Sequence, residues 1–421
     1  MAQAPRAAYG SIERGAQDGA PAGQSSALET FFHIVCITAG TGILHLPYAL
    51  RAGGWAGLLY IALAAVVSAY TGRILVRCLY HRPGARLQSY PDVVEAAFGP
   101  RGRAAVRALK DANLLGVVGT YVVLAGVSID SLAVGSAAGG LGPRFWIGAS
   151  AAAVWAAVVR ARAVHDARLL SVFGTLTTVA MVAIVVGLGL SDAAMRAERP
   201  PTRAVDVRMA PVALASVCFA FGGNLNWPDL EASMRSPKHW GRTLSLATAF
   251  VALIYLCVAA VGYGVYGDRV QSPVFLSLPP GIAVVAAKAM VTAHVLLACP
   301  ILLSAVFIEA ERDLGIGPDG ARPARAALRT AVMAAVAAAA LLVPDFSRLV
   351  PVLGAVAASL AVFVVPVACY VRLLGAQRGL SAREYAWCAL VAAVGLVCLV
   401  VGTAQALADL GRPRGQAGTI T

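Results

Sequence analysis

The feature that most constrains this chain is a series of apolar stretches of about 20 residues, the length that crosses a hydrocarbon core of roughly 30 Å at 1.5 Å per residue. Apolar runs bounded by charges and Pro/Gly clusters predict eleven helical spans, near residues 28–50, 54–77, 108–134, 144–160, 168–190, 207–234, 242–266, 282–308, 326–343, 347–371 and 384–408. Composition agrees, since 59% of the residues are hydrophobic and only 13% charged, more apolar than a water-soluble surface tolerates. The expected fold is an all-α polytopic membrane protein with a lipid bilayer as its principal partner. Residues 1–27 form a polar tail without an apolar signal core, so the first span is expected to act as its own insertion signal.

A net charge of +13 would suit an acidic partner such as nucleic acid only if the basic residues formed one face of a soluble domain. They sit instead between apolar spans, which excludes nucleic-acid binding. Alternate loops are rich in arginine: Arg77, Arg82, Arg86, Arg101, Arg103, Arg107 and Lys110 share one side with Arg312, Arg322, Arg325 and Arg329. Under the positive-inside rule this predicts a cytoplasmic N-terminus and an odd number of spans. The eight cysteines are scattered through the apolar spans without metal-ligand spacing. Neither a metal constellation nor a paired set of catalytic carboxylates appears, so an enzyme is not expected and no cofactor or metal is implied. No filter motif or voltage-sensor repeat points to a channel.

Two spans are interrupted. In the first, TFFHIVCITAGTGILHLPYALRAGGW places Gly40, Thr41 and Gly42 mid-span, followed by Pro47. In the sixth, FAFGGNLNWPDLEASMRSPKHW places Gly222, Gly223 and Asn224 mid-span, followed by Pro228. A glycine cluster in a membrane helix often only lets a neighbour pack closely. Two alike clusters five spans apart fit a five-plus-five inverted repeat, in which interrupted helices at corresponding positions mark a midplane site. The repeats would be residues 28–193 and 206–371, with 384–408 as an additional helix and 409–421 as a tail. Unwinding frees backbone N–H and C=O groups that are costly in lipid and useful in a cavity. Half-helix N-termini suit a carboxylate, and freed carbonyls suit an ammonium, so a zwitterion fits.

At these residues the chain resembles the amino acid/auxin permease family, which includes proton-assisted and vesicular inhibitory amino acid transporters. The stretch GTGILHLPYALRAGGW is similar to the family's first helix, and FAFGGNLNWPDLEASMRSPKHW to its sixth, notably in the spacing of Pro228, Glu231, Met234 and Pro237. The resemblance implies a LeuT-type fold, an inverted repeat of five plus five helices followed by an eleventh. It also implies secondary active transport of small amino acids. The substrate-contacting positions it suggests are Thr38, Ala39, Gly40, Thr41 and Gly42, with Phe219, Phe221, Gly222, Gly223 and Asn224 opposite, and Tyr121 as an aromatic wall. His33 falls where proton-assisted members carry a histidine.

Ionisable groups at membrane depth are functional candidates by default. His33 leads, since imidazole titrates near neutral pH; an interfacial structural role is the alternative. His294, in the eighth span, is either a proton relay or structural, and His45 reads as structural. Glu231 would pair with an arginine and hold a gate closed, or belong to a solvated cluster with Asp229 and Arg235. Sodium coupling would draw on Thr292 and Ser304, but Cys36 stands where sodium-dependent relatives place an asparagine, so a proton gradient is the expected drive. Sodium coupling and an amino-acid receptor with little flux remain the alternatives. The membrane is plasma, or vesicular or vacuolar.

Overall fold

The computed structural model describes residues 25–411 except 83, 135–139, 161–166, 197, 199, 317–321 and 376–378, and no side chain of 167–172. The tails expected at 1–27 and 409–421 lie largely outside the described residues. A helix, whole or broken, occupies each of the eleven expected segments, and no β-strand occurs among the described residues. Eight helices are long and apolar enough to cross a membrane, or nine if the bent pair Ala27–Thr38 and Thr41–Gly53 is one span. Gly142–Arg160 and the broken segment from Ala210 to Ser233, expected as the fourth and sixth spans, are helical and do not meet that standard.

Local chemistry accounts for the boundaries. The first span begins with a reciprocal cap, in which Glu29 N–H donates to Ser26 Oγ at 3.2 Å and Ser26 N–H donates to Glu29 Oε2 at 2.7 Å. Ser381 and Glu384 repeat the device at the start of the eleventh. The turn from the first span to the second needs Gly54, whose φ of 75° lies in the left-handed region. The third helix corrects the expected start at 108: it begins at Tyr90 and runs to Ala133, kinked at Gly99, φ 77°, ahead of Pro100. Charges between Asp92 and Lys110 mark this helical stretch as loop to a hydropathy reading, although Ser89 and Asp92 cap it reciprocally.

The chain divides into two compact units. One gathers Leu114–Ala180 and Gly281–Pro344, which carry the fourth, eighth and ninth spans and parts of the third and fifth. Close packing there depends on Gly126, where an added Cβ would lie 2.6 Å from the Ile147 nitrogen. Glu311 accepts from Arg329 Nε at 2.9 Å and pairs with Arg325 at 3.4 Å, while Arg329 Nη1 donates to the Val158 carbonyl at 2.8 Å. Arg329 thereby links the eighth and ninth spans to the end of the fourth.

The other unit comprises Ser25–Asn113, Met181–Pro280 and Asp345–Thr421, and holds both interrupted spans. Their ends are stitched by backbone hydrogen bonds. At one end Ser25 N–H donates to Ser233 O at 3.0 Å and Arg235 N–H to Ser25 O at 2.9 Å. At the other, Trp55 and Ala56 N–H donate to the carbonyls of Arg203 and Ala204, each at 3.0 Å, and Asp206 N–H to Gly53 O at 3.2 Å. The tenth span, Phe346–Gly375, widens into π-type turns over Gly354–Val364 where it backs the sixth; a Cβ on Gly354 would collide with the Ala215 carbonyl.

Candidate functional site: the meeting of two broken helices

The first span stops at Thr38. Ala39 leaves helical geometry at φ −78°, ψ 47°, Gly40 N–H turns back to the Thr38 carbonyl at 2.8 Å, and a tighter turn over Thr41–His45 leads into Leu46–Gly53. The two halves bend by 42°. In the sixth span, Ala210–Ala220 ends at Phe221, a tight turn follows over Gly222–Asn226, and Trp227–Ser233 resumes the helix. Pro47 and Pro228 each lie in the first turn of the outgoing half, where a missing N–H costs nothing. The prolines therefore start the second halves, and the glycines end the first.

The two breaks lie against each other. A Cβ on Gly42 would sit 2.8 Å from the Ala220 Cα, and one on Gly223 would sit 3.4 Å from Thr38 Oγ1. Between them stands Tyr255 from the seventh span, Trp240–Tyr266, with no exposed surface. Its hydroxyl lies 2.5 Å from the Thr38 carbonyl and 2.9 Å from the Ala220 carbonyl, the last helical carbonyl of each incoming half. Sequence reasoning misses Tyr255, because a lone tyrosine in an apolar span looks like core. Only its three-dimensional position distinguishes it.

The expected substrate positions now separate. Thr38 is 7% exposed, and its buried hydroxyl has no hydrogen-bond partner among the described residues. Buried polar atoms are nearly always satisfied, so an orphan at a helix break suits a ligand atom. Gly40, Phe219 and Gly222 are partly open, and the nearest atom to a Cβ on Gly222 would be the Ala358 methyl at 4.0 Å. Ala39 and Thr41 are buried and present backbone. Gly42 serves close packing against Ala220. At Gly223 the Trp227 ring would lie 2.5 Å from a Cβ, so this glycine packs against the ring and does not open a space. Phe221 is fully buried with its ring 5.2 Å from that of Tyr255, so it backs the break.

Asn224 needs a further correction. Its Nδ2 donates to Thr71 Oγ1 at 3.0 Å, its Oδ1 accepts from Trp227 Nε1 at 2.7 Å, and none of it is exposed. The amide is thus occupied in holding the sixth span to the second. Tyr121, half-buried, and His294 belong to the other compact unit. There the His294 ring packs against Gly174 and Phe173, with Nδ1 buried and unpartnered among the described residues.

Glu231 is 1% exposed, which excludes the solvated-cluster reading. Its Oε2 accepts from Arg86 Nη2 at 2.6 Å and Nε at 3.0 Å, and its Oε1 from the Tyr80 hydroxyl at 2.5 Å. Arg86 also donates to the Pro228 carbonyl at 2.6 Å. The expected partnership with an arginine is thus present, and it ties the segment after the second span to the outgoing half of the sixth.

His33 is exposed, on the same helix as the Glu29 cap. His45, by contrast, is 1% exposed at the end of the tight turn that succeeds the first break. Its Nδ1 is 2.7 Å from Ser272 Oγ, its ring packs on Tyr48 and Phe346, and its Nε2 is buried without a partner among the described residues. The described residues hold no cluster of three or more His, Cys, Asp or Glu suited to a metal. A cavity of about 440 Å³ in this unit is lined by Trp55, Leu190, Pro200, Thr202, Val261 and Gly264, away from the breaks.

Residues 23–408 match the model of the family described as transmembrane amino acid transporter protein. The chain belongs to that family. Among curated relatives of this transporter family member, the amino acid transporter AVT1B of Arabidopsis thaliana is 27% identical over 385 residues, covering 89% of this chain and 69% of the relative. The vesicular inhibitory amino acid transporter of Xenopus tropicalis is 27% identical over 414 residues, covering 91% and 77%. Among solved structures, MhsT in complex with L-phenylalanine aligns with a TM-score of 0.53 at 13% identity, over 91% of this chain and all of that one. Inward-facing Mhp1 aligns at 0.61 and 11% identity, covering 92% and 91%. These likenesses establish the expected LeuT-type fold. The relatives are transporters, which places the family outside the enzymes.

Proposed function

We propose that the protein is a secondary active transporter of small neutral amino acids, working by alternating access. The observation that carries this reading is the orphan Thr38 hydroxyl at the point where two helices break against each other. Beside it, two incoming half-helices present the negative ends of their dipoles, which suit an ammonium, while the restarting turn at Thr41 and Gly42 supplies N–H groups for a carboxylate. The open side at Gly222 leaves room for a short side chain. The names of the Arabidopsis and Xenopus relatives, both amino acid transporters, agree with such a substrate. The N-terminus is assigned to the cytoplasm on the arginine distribution, and the membrane is plasma or, as the frog relative's name suggests, vesicular.

The proposed drive is a proton gradient. A coupling ion must bind the two access states unequally to bias either one. His33, the residue the family resemblance implies, lies on the surface. His45 gives a second reading, favoured by its buried, unpartnered Nε2 beside the first break. For sodium, the hydroxyls of Thr292 and Ser304 donate to carbonyls of their own helix at 2.8 and 2.6 Å, which leaves their oxygen lone pairs open to a cation, so sodium stays the competing drive that the separate gradients below decide. The Glu231–Arg86 pair is proposed to hold one gate shut.

Uptake of labelled glycine, alanine, proline and GABA into proteoliposomes, with proton and sodium gradients imposed separately, tests this reading. Alanine and glycine are expected to accumulate with the proton gradient, and accumulation is expected to collapse in His33→Ala or in His45→Gln. Survival in both variants would remove histidine from the coupling. Tracking sodium at constant pH would replace the proton, and saturable binding without accumulation under any gradient would make the protein a receptor.

A further inference from the structure

The hydroxyl of Tyr255 has one proton and two buried carbonyls within reach, Thr38 O at 2.5 Å and Ala220 O at 2.9 Å. Each carbonyl closes an incoming half-helix and so lacks the i+4 donor of a continuing helix; Thr38 O accepts as well from the Gly40 N–H of the following turn at 2.8 Å. Two partial negative charges face each other there, in a span where an unmatched backbone carbonyl is costly. We infer that Tyr255 is a positioning residue of the transport site: its shared O–H holds the Thr38 and Ala220 carbonyls at the separation that receives the ammonium of an amino acid. The tyrosine is itself held in place. Phe221 meets its ring at 5.2 Å, and two turns further along the same helix Gly262 admits Pro47, whose ring carbons would lie 2.6 Å from an added Cβ. The seventh span thereby packs against the first on both sides of its break.

This inference rests on the amino acid transport reading, and the experiment separates the two. Tyr255→Phe keeps the ring and removes only the O–H. Tyr263→Phe is the matched control, since its hydroxyl, equally buried on the same helix, accepts from the Arg203 N–H at 2.8 Å away from both breaks. With labelled alanine in proteoliposomes, Tyr255→Phe is expected to raise KM about tenfold, the loss of roughly one hydrogen bond to a charged group, with maximal rate within about twofold. Tyr263→Phe, which also loses one buried hydroxyl, is expected to lower the melting temperature as much as Tyr255→Phe does while leaving KM unchanged. An unchanged KM in Tyr255→Phe, or an equal rise in both variants, overturns the inference. Should Tyr255→Phe fail to reach the membrane, 3-fluorotyrosine at position 255, a more acidic donor of nearly the same shape, is expected to shift KM while leaving the melting temperature in place; no shift overturns it. Absence of alanine uptake by the unaltered protein would instead sink the transport reading.

Discussion

Arg86→Ala is expected to destabilise the protein by about 3 kcal/mol, the lower end of the cost of removing one member of a buried ion pair. The reason lies in the group left behind. Glu231, 1% exposed, would lose both guanidinium bonds and keep only the Tyr80 hydroxyl, while the Pro228 carbonyl would lose its donor too. The lower end applies because the Arg86 side chain is 20% exposed, so water relieves part of the loss. Thermal melting in detergent reads the effect, and the double variant Arg86→Ala/Glu231→Gln is expected to recover most of it by removing the stranded charge. If Arg86→Ala melts with the parent protein, the pair is not closed in the state that predominates in solution. Transport by the double variant then reports on the gate: a weakened latch leaves one access state less favoured and alters maximal rate before affinity.

The second large effect separates glycines that look alike in sequence. Gly42→Ala places a methyl 2.8 Å from the Ala220 Cα, a backbone atom that cannot rotate aside. Overpacking costs about 1–3 kcal/mol in general, and the upper end applies where backbone is struck. The first and sixth spans would be pushed apart at their breaks, and alanine uptake is expected to fall by more than about fivefold, the rate equivalent of the about 1 kcal/mol at the small end of that range. Gly222→Ala meets only the Ala358 methyl at 4.0 Å, so its melting temperature is expected to stay with the parent. Its effect falls on selectivity: the methyl narrows the open side, favouring glycine over larger substrates. Uptake of glycine and proline measured side by side checks this, and equal behaviour of the two variants would remove the distinction between packing and lining.

The positions of the spans were legible in the chain because hydropathy alone reports them, and the two interruptions because glycine and proline mark them. The division of labour within each interruption was not. Gly42 and Gly222 present the same absent side chain, and only the neighbour across the gap decides which packs and which opens. Asn224 reads as a ligand-binding amide until Thr71 and Trp227, one of them 153 residues away, are seen to occupy it. The partnership of Glu231 with an arginine was legible from its depth in the sixth span, whereas the choice of Arg86 among several basic residues depends on how the segment after the second span folds back. His45 reads as structural and Tyr255 as core for a common reason: a single polar residue in an apolar span gains meaning only from the unpaired atoms around it.

The tyrosine that bridges the two breaks also sets an order of assembly. Thr38 leaves the ribosome 217 residues ahead of Tyr255, and Ser25 likewise emerges long before its partners at Ser233 and Arg235. At about 5–20 residues per second, the interval between Thr38 and Tyr255 is on the order of 10–40 s. Throughout that time the Thr38 carbonyl has its local Gly40 N–H but not the tyrosine hydroxyl, so the break in the first span is a poorer solute for lipid than in the finished protein. Biogenesis of this transporter therefore requires a waiting place for its first helix, and a nascent chain arrested before residue 255 should remain cross-linkable to the translocation apparatus through position 38.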